Sequence, residues 1–574
     1  MATVGKDGYS KSDEVLPAEY DKNVHSGAIG GVHPDELEGL TVFEKKCVLI
    51  NHEIDRNGMG RYQWYIWTLC GFGYLLDLLW AQAFGLVLSP LAQELNLTDV
   101  GNISVSFSAG LTAGAAFWGI LVDFIGRQWA FNLTCLISAA FGLGLGGCNT
   151  SEAFLVLTAF VGFGIGGNIP IDTTICLEFI PQNRRFLLAL LSIFQPIGVV
   201  ITTAIAYGFI PKYSCTPNWT AGKDALPSCF TTAPGQDCCG KSNNMGWRYL
   251  MFTLGAITLG VFILRFVVFR FKESPKFLVF RGFDSKAIGV LEHIAHTNGR
   301  TCGLTLADFD ALTSEAESLN SATALIGTGT KQRSLSAWQS IKFELGRYKL
   351  LFANFTMTRL TILVWLTYIC DFWGFTLAGT FLPTILTIKN ANVSVDLLTS
   401  YRDLIAIYAP GIVAVVIGTM MYGVPSVGRK WTMVISVGLM GASIFIYSTV
   451  NDRASNIGLN MMEYFFQSMF NAVLYGWTPE AFPSPIRGTA CGVASFWGRL
   501  FGIIAPLTVD AIVPTNSSLE TPRSQQDSLH CWRRNVGLCG LGFIAAKQAC
   551  RQAEFLRVCK MQGHNCRQWC PSRS

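Results

Sequence analysis

Charged residues inside long apolar stretches are the first feature of this 574-residue sequence. We single out the acids Asp77, Asp172 and Asp371 and the base Arg499. An ionised side chain in the middle of an apolar helix costs about 2.5–3.5 kcal/mol, so it is retained for structure or for function. Neither Asp77 nor Asp172 has a lysine or arginine within one helical turn in sequence. A carboxyl without water or a cation accepts a proton readily, so we expect these two residues to bind protons.

The same charges also fit a purely structural role, in which Asp77 pairs with Arg499 and holds helices together. Arg265 and Arg359 lie near the ends of apolar stretches, where we expect their side chains to extend to the membrane surface.

Uncharged side chains are further candidates to line a polar cavity, although most aromatic residues in membrane helices only pack. They are Trp80, Gln82, Gln195, Trp373, Asn471, Tyr475 and Trp497.

Patterns typical of enzymes do not occur in these stretches. All seven histidines lie outside them, and no H-E-x-x-H or nucleophile–base arrangement is found. G-x-G-x-x-G occurs at Gly142 and again at Gly162, but each copy lies in an apolar run without a strand before it, which indicates helix packing. We therefore expect no enzymatic activity, no bound metal and no cofactor.

The elements that must position these residues are membrane-spanning helices. Half of the residues are apolar and only 14% are charged, against about 25% in soluble domains. Eleven stretches are long enough to cross a bilayer, so the fold class is an all-α polytopic membrane protein. We predict the helices at 63–90, 102–122, 128–147, 152–179, 186–210, 247–269, 360–386, 404–424, 430–449, 457–481 and 488–513.

Two short motifs recur at one spacing and divide the chain into related halves. E-x-x-P-x-x-x-R occurs twice with an offset of 480 − 178 = 302 residues, and Gly-Arg recurs with 428 − 126 = 302. The first copy of the Gly-Arg motif extends to G-x-x-x-D-x-x-G-R, whereas Met421 and Pro425 replace its glycine and aspartate in the second. The motif residues are Gly119, Asp123, Gly126, Arg127, Glu178, Pro181 and Arg185, then Arg429, Glu480, Pro483 and Arg487.

Basic residues follow every second predicted helix, which places the N-terminus and both motifs in the cytoplasm. The opposite face then carries the 211–246 loop with Cys215, Cys229, Cys238 and Cys239. In an oxidising compartment four cysteines form up to two disulfides in one of three pairings, although adjacent Cys238 and Cys239 are poor partners. Free thiols are the alternative, and we expect at least one disulfide.

We divide the chain into five parts by composition. They are an N-terminal cytoplasmic tail at 1–60, a helical bundle at 61–270, a cytoplasmic loop at 271–350, a second bundle at 351–515 and a basic, cysteine-rich tail at 516–574. The repeat calls for a twelfth helix, which the tail does not supply.

The motifs resemble those of the major facilitator superfamily, in the branch of sugar porters, organic-ion transporters and synaptic-vesicle-two-related proteins. The matching segments are GILVDFIGRQ, GGNIPIDTTICLEFIPQNRR, KESPKFL and YGWTPEAFPSPIRG, while the C-terminal sugar-porter signature is absent. The resemblance implies two six-helix bundles around a central cavity and alternating access.

On this resemblance we expect proton-coupled secondary transport of a small polar solute or organic ion. A nutrient receptor that does not transport is the alternative on the same fold. The expected partners are the substrate, protons and the lipid bilayer, with no nucleic acid and a monomeric protein. The plasma membrane is the first expectation for its location, ahead of a vacuolar or other endomembrane.

The shared register also suggests conformational latches. We predict ion pairs between Glu178 and Arg127, and between Glu480 and Arg429 or Arg487, that hold an outward-open state.

We predict that residues 523–574 do not cross the membrane. Their longest apolar run, Val536 to Ala546, has eleven residues, too few for a bilayer of about 30 Å. Protease protection should then find the C-terminus outside and the N-terminus inside, whereas a cytoplasmic C-terminus would mean that a helix was missed. An altered reading frame and a divergent tail both explain the composition, and transcript sequencing separates them.

Overall fold

The computed structural model describes residues 40–97, 101–215, 226–230, 236–268, 271–323, 348–389, 397–424, 427–447, 452–482 and 487–512, with a few isolated positions. Helices occur at all eleven predicted stretches. Eight of the described helices are long and apolar enough to cross a membrane, the longest being Arg61–Leu95. The tail at 516–574 lies outside the described residues, so the prediction that it does not cross the membrane concerns residues that the structure does not describe.

The N-terminal half begins before its first span, with a helix in the segment that the sequence analysis assigned to the N-terminal tail. The helices are α1 (Val42–Asn57), α2 (Arg61–Leu95), α3 (Gly101–Ile125), α4 (Arg127–Leu145), α5 (Ser151–Ile165), α6 (Asn168–Phe179), α7 (Phe186–Leu191), α8 (Phe194–Tyr213) and α9 (Gly246–Ile263). A π turn at Leu264–Val268 continues α9.

The cytoplasmic loop and the C-terminal half follow. The loop contains α10 (Pro275–Phe280), α11 (Asp284–Thr297) and α12 (Leu306–Thr323), and the half contains α13 (Phe355–Lys389), α14 (Leu397–Tyr408), α15 (Pro410–Gly423), α16 (Gly428–Tyr447), α17 (Arg453–Ala481) and α18 (Arg487–Ile512).

Three predicted spans are interrupted, and each interruption has a proline nearby. Pro170 and Pro196 lie four residues after Gly166 and Ser192, so those two carbonyls lose the N–H group that a regular helix would supply. Pro410 begins α15 directly after α14 ends. Broken helices are tolerated in a membrane only where other groups satisfy the freed backbone, so these positions mark sites of tertiary contact.

The two halves meet along paired helices. α3 packs against α18, α8 packs against α14, and α7 packs against α15 and α17. The approach of α17 to α7 depends on Gly476, because a Cβ there would lie 3.0 Å from the backbone of Ala189. Toward the outer face, the Tyr401 hydroxyl of α14 donates to the Leu86 carbonyl of α2 at 2.8 Å. The halves therefore touch near both faces.

The outer end of the N-terminal half is held by a buried ion pair. Arg248 Nη2 lies 2.7 Å from Glu94 Oε1, and both side chains are almost fully buried. Trp247 and Asn244 also donate to Glu94, at 2.9 and 3.1 Å. The Glu94 carbonyl accepts from Ser228 of the outer loop, so the loop is fixed to the end of α2.

Helix α1 and the helices of the central loop cover the opposite end of the same half. Lys46 of α1 pairs with Asp284 of α11 at 2.6 Å, and Asp55 of α1 accepts from the Gln182 N–H at 2.6 Å. The Gln182 backbone lies between the two motif residues Pro181 and Arg185. Helix α1 is therefore bound directly to one of the repeated motifs.

We predict two disulfides in the outer loop. The structure joins Cys215 to Cys239 and Cys229 to Cys238, and adjacent Cys238 and Cys239 bond different partners. Peptide mapping by mass spectrometry without reduction should recover these two linkages. Four alkylatable thiols in the mature protein would contradict the pairing, and reduction before digestion is the control.

Candidate functional site

Arg499 of α18 crosses from the C-terminal half to the N-terminal half. Its side chain is 2% exposed, and its Nη2 lies 3.5 Å from Oδ1 of Asp77 in α2. Its Nη1 donates to the carbonyl of Gly166, between α5 and α6. Nη2 has no hydrogen-bond partner among the described residues, since its contact with Asp77 is long. One guanidinium thus contacts two helices of the opposite half.

The Gly166 carbonyl is available because of Pro170. In a regular helix it would accept from the N–H of the residue four positions later, and proline has none. Arg499 supplies the missing donor from another helix. The sequence analysis treated Arg499 and the proline break as separate features, whereas the structure brings them together.

Asp172 also has an arginine, contrary to what its sequence neighbours suggested. Arg265 Nη2 lies 3.6 Å from Asp172 Oδ2, and neither side chain is exposed. Arg265 was expected to reach the membrane surface, and that prediction is wrong. It starts from the π turn after α9 and points inward, where it donates to the carbonyls of Leu69 and Phe131 at 2.8 and 3.1 Å.

Glycine creates the room for this second pair. A Cβ at Gly73 would lie 1.7 Å from Asp172 Oδ2 and 2.7 Å from Arg265 Nη2, so no larger residue fits there. Asp172, Arg265 and Gly73 all belong to the N-terminal half. This ion pair is therefore internal to one half, whereas Asp77–Arg499 joins the two.

Asp371 of α13 differs from the other two acids. Its partner is Asn471 of α17, whose amide nitrogen, turned toward the carboxylate, lies 3.1 and 3.2 Å from the two oxygens. Within the described part of the chain no cation lies within ion-pair distance of Asp371. Asn471 and Gln195 line one space between the halves, together with Ser192, Tyr464 and Gln467.

Two tyrosines, Tyr368 and Tyr475, line the second space, and Tyr74 packs against Tyr475. Tyr475 of α17 lies between Tyr74 of α2 and Tyr368 of α13, with ring centroids 6.3 and 6.0 Å away. Tyr74 shares a hydrogen bond with Thr173 at 2.6 Å, and Tyr368 donates to Thr478 at 3.2 Å. Each of the two spaces has a volume of about 10 Å³, room for roughly one water molecule.

Trp373 does not join this group in the way that the sequence suggested. Its ring packs against Phe501 with centroids 6.0 Å apart, and its indole N–H has no partner among the described residues. Among the other aromatic candidates, Trp80 is fully buried and donates to Thr258 within the N-terminal half. Trp497 stacks near Trp365 at 5.7 Å.

The motif charges pair at the ends of the helices, in the combinations that the repeat suggested. Arg127 lies 3.5 Å from Glu178, and Arg429 lies 2.7 Å from Glu480. Tyr422 also donates to Glu480, at 2.6 Å. Each pair joins two helices of the same half, so any effect on conformation acts through the position of helix ends.

The sequence analysis missed a further charged residue beside the Arg127–Glu178 pair. Glu273, from KESPKFL, accepts from the N–H groups of Arg127 and Gln128 at 3.1 and 3.2 Å and so caps the start of α4. Burial raises the pKa of this carboxyl, and N–H donors including Ser274 and Gln128 partly oppose the rise. The preceding Gly126 has φ +94°, which favours glycine. KESPKFL was recognised only as a family signature, without a partner.

The remaining motif residues are only partly described. Gly119 is half-buried in α3, Pro181 is buried, and Arg185 is half-buried at the start of α7. The side chains of Asp123, Pro483 and Arg487 lie outside the described residues. The alternative pairing of Glu480 with Arg487 is therefore not described.

Comparison with known proteins decides the family. The model of the Major Facilitator Superfamily matches residues 70–506. The chain belongs to this superfamily. It is an integral membrane transporter, as the motifs predicted, and the superfamily is generally not enzymatic. Its members take small-molecule substrates.

Relatives within the superfamily cover most of the chain. The siderochrome iron transporter 1 of Ceriporiopsis subvermispora is 37% identical over 81% of this chain and 85% of its own length. The putative niacin/nicotinamide transporter NiaP of Bacillus subtilis is 23% identical over 78% of this chain and 88% of its own. A structure of the proton:xylose symporter XylE is 17% identical with a TM-score of 0.61, covering 84% and 94%, and supports the fold alone.

We predict that Glu480→Gln shifts the protein toward an inward-open state. Breaking a buried ion pair costs about 3–5 kcal/mol, and less here because Arg429 is 25% exposed. Since about 1.4 kcal/mol changes an equilibrium tenfold, we expect at least a tenfold shift.

The measurement is the rate at which a thiol reagent supplied from the cytoplasmic side labels Ser495→Cys, which lines the second space. Glu152→Gln, at the outer end of α5, is the control and should leave the rate unchanged. Unchanged labelling in Glu480→Gln and in the matching Glu178→Gln would contradict the latch.

Proposed function

We propose that this protein is a proton-coupled secondary transporter of small organic ions, with Arg499 as the binding group for a substrate carboxylate. The observation that carries the proposal is the contact of Arg499 with Asp77 and Gly166 across the two halves. A buried cation shared between two moving bodies is suited to exchanging partners during transport.

The proposed cycle starts with protonation of Asp77 from the outer side. A neutral Asp77 no longer attracts Arg499, whose Nη2 then binds the carboxylate of the substrate. The cation remains neutralised, so the halves can close around it without an unpaired charge. When the inner side opens, Asp77 loses its proton to water, recovers Arg499 and displaces the substrate. One proton and one carboxylate thus move together.

Asp77 is a better carrier than Asp172, although the sequence favoured both. The partner of Asp172 lies in the same half, so this pair moves as a unit when the halves rock. The partner of Asp77 lies in the other half, so rocking changes that contact. Breaking and restoring one contact per cycle is what coupling requires.

The comparisons agree with this proposal without deciding it. The Bacillus relative is named for niacin, which is a carboxylate, and for its neutral amide nicotinamide, and XylE is named as a proton symporter. We place the protein in the plasma membrane, where an acidic outside would drive uptake. Immunolocalisation of the tagged chain tests that assignment, and vacuolar staining would overturn it.

We predict that Asp77→Asn separates accumulation from exchange. In proteoliposomes with an acidic exterior, the wild type should accumulate labelled nicotinate, and the accumulation should fall as the exterior is made alkaline. Asp77→Asn should lower the pH-driven accumulation of nicotinate at least tenfold, because the amide cannot bind and release a proton. Exchange of labelled for unlabelled nicotinate should continue.

Two matched variants accompany this test. Asp172→Asn examines the other acid, and we expect it to retain pH-driven accumulation if it folds. Glu152→Gln exchanges a carboxylate for an amide away from the site and should behave as the wild type. An Asp77→Asn protein that accumulates nicotinate with unchanged pH dependence would rule out Asp77 as the proton carrier.

A further inference from the structure

The first span of each half carries the same pair of residues at the same position. Helices α2 and α13 each have 35 residues and begin at Arg61 and Phe355, an offset of 294. With that offset, Tyr74 and Asp77 correspond to Tyr368 and Asp371, since 74 + 294 = 368 and 77 + 294 = 371. Asp371 is therefore the counterpart of Asp77 in the second half.

The arginine that balances Asp77 has no such counterpart. Arg499 lies in α18, which follows the second E-x-x-P-x-x-x-R motif, and the motif offset of 302 gives 499 − 302 = 197. That position is Ile197, in α8 next to the cavity residues Gln195 and Pro196. The repeat would pair Asp371 with the residue at 197, as it pairs Asp77 with Arg499, but isoleucine brings no charge.

Asp371 is an acid without a cation at the position that the repeat relates to Arg499. It is 8% exposed and bound to the Asn471 amide, which is neutral. A buried carboxyl must either be protonated or have a cation beside it when it is ionised. The adjacent rings of Tyr368 and Tyr475 offer π faces, which attract organic cations and especially quaternary nitrogen.

The two charged positions lie on helices that pack directly against each other. Helices α13 and α18 touch where Gly498 meets Phe372, and these residues adjoin Arg499 and Asp371. The Tyr475 ring lies between Tyr74, one helical turn before Asp77, and Tyr368, one helical turn before Asp371. The polar groups of both spans thus converge on the same tyrosine.

We infer that the substrate is a small zwitterion, whose carboxylate binds Arg499 and whose cationic nitrogen binds Asp371 among Tyr368 and Tyr475. The inference rests on the proposed function for the carboxylate, and it adds a second subsite for the cation. An alternative role for Asp371, as a second proton carrier, is an outcome of the test below.

Four small probes isolate the two charges on one ring. N-methylnicotinate carries both, nicotinate and benzoate carry only the carboxylate at pH 7, and N-methylpyridinium carries only the cation. Dissociation constants are measured by calorimetry on the full-length protein in lipid nanodiscs. We expect N-methylnicotinate to bind at least tenfold more tightly than each of the other three. This ranking needs no variant.

Substitutions then assign each charge to its subsite. Asp371→Asn should weaken N-methylnicotinate at least tenfold and leave nicotinate within threefold, and Asp371→Glu should restore part of the loss. Arg499→Gln should weaken the binding of both N-methylnicotinate and nicotinate, because each carries a carboxylate. Glu463→Gln, a carboxyl two helical turns before Asn471 on α17, is the matched control and should keep the ranking.

Three results would overturn the inference. Equal affinity for nicotinate and N-methylnicotinate would exclude the cation subsite and leave carboxylate transport standing. An equal loss of both ligands in Asp371→Asn, together with lost pH dependence of uptake, would make Asp371 a proton carrier. If no carboxylate binds and none is transported, the proposed function fails together with the zwitterion.

Discussion

The buried guanidinium of Arg499 is the interaction on which the arrangement of the two halves depends. A buried cation needs a negative charge and hydrogen-bond acceptors around it, and for Arg499 these come from the opposite half. Asp77 supplies the negative charge. The Gly166 carbonyl accepts a hydrogen bond from Arg499, because Pro170 has no N–H group to donate to it. The site is therefore made jointly by two bundles, and neither bundle contains it alone.

The ion pairs of the molecule fall into two kinds. Glu94–Arg248, Asp172–Arg265, Arg127–Glu178 and Arg429–Glu480 each lie within one half and make that half rigid. Asp77–Arg499 lies between halves. Rigid bodies joined by an exchangeable charge pair can rock without losing their internal structure, which is the physical requirement for alternating access.

Much of this architecture could be predicted from the sequence because it depends on local signals. Apolar length gave the helices, and the repeated motifs gave the partners of Glu178 and Glu480, since each partner lies across one short connection. The partner of Asp172 could not be predicted in this way. Arg265 lies 93 residues further on, and only the π turn after α9 directs it inward. Helical periodicity identifies a face of a helix, but it does not say which distant helix packs against that face.

The distance along the chain between Asp77 and Arg499 also has a consequence for biosynthesis. The two residues are separated by 499 − 77 = 422 positions. At about 5–20 residues per second, a ribosome reaches the arginine about 20–80 s after the aspartate has entered the membrane. During that interval the first bundle lies in the membrane, next to lipid and the insertion machinery, while Asp77 has no arginine to pair with. The joining of the two bundles is thus a late step in assembly, and a chain truncated before α18 would keep an uncompensated acid within its first span.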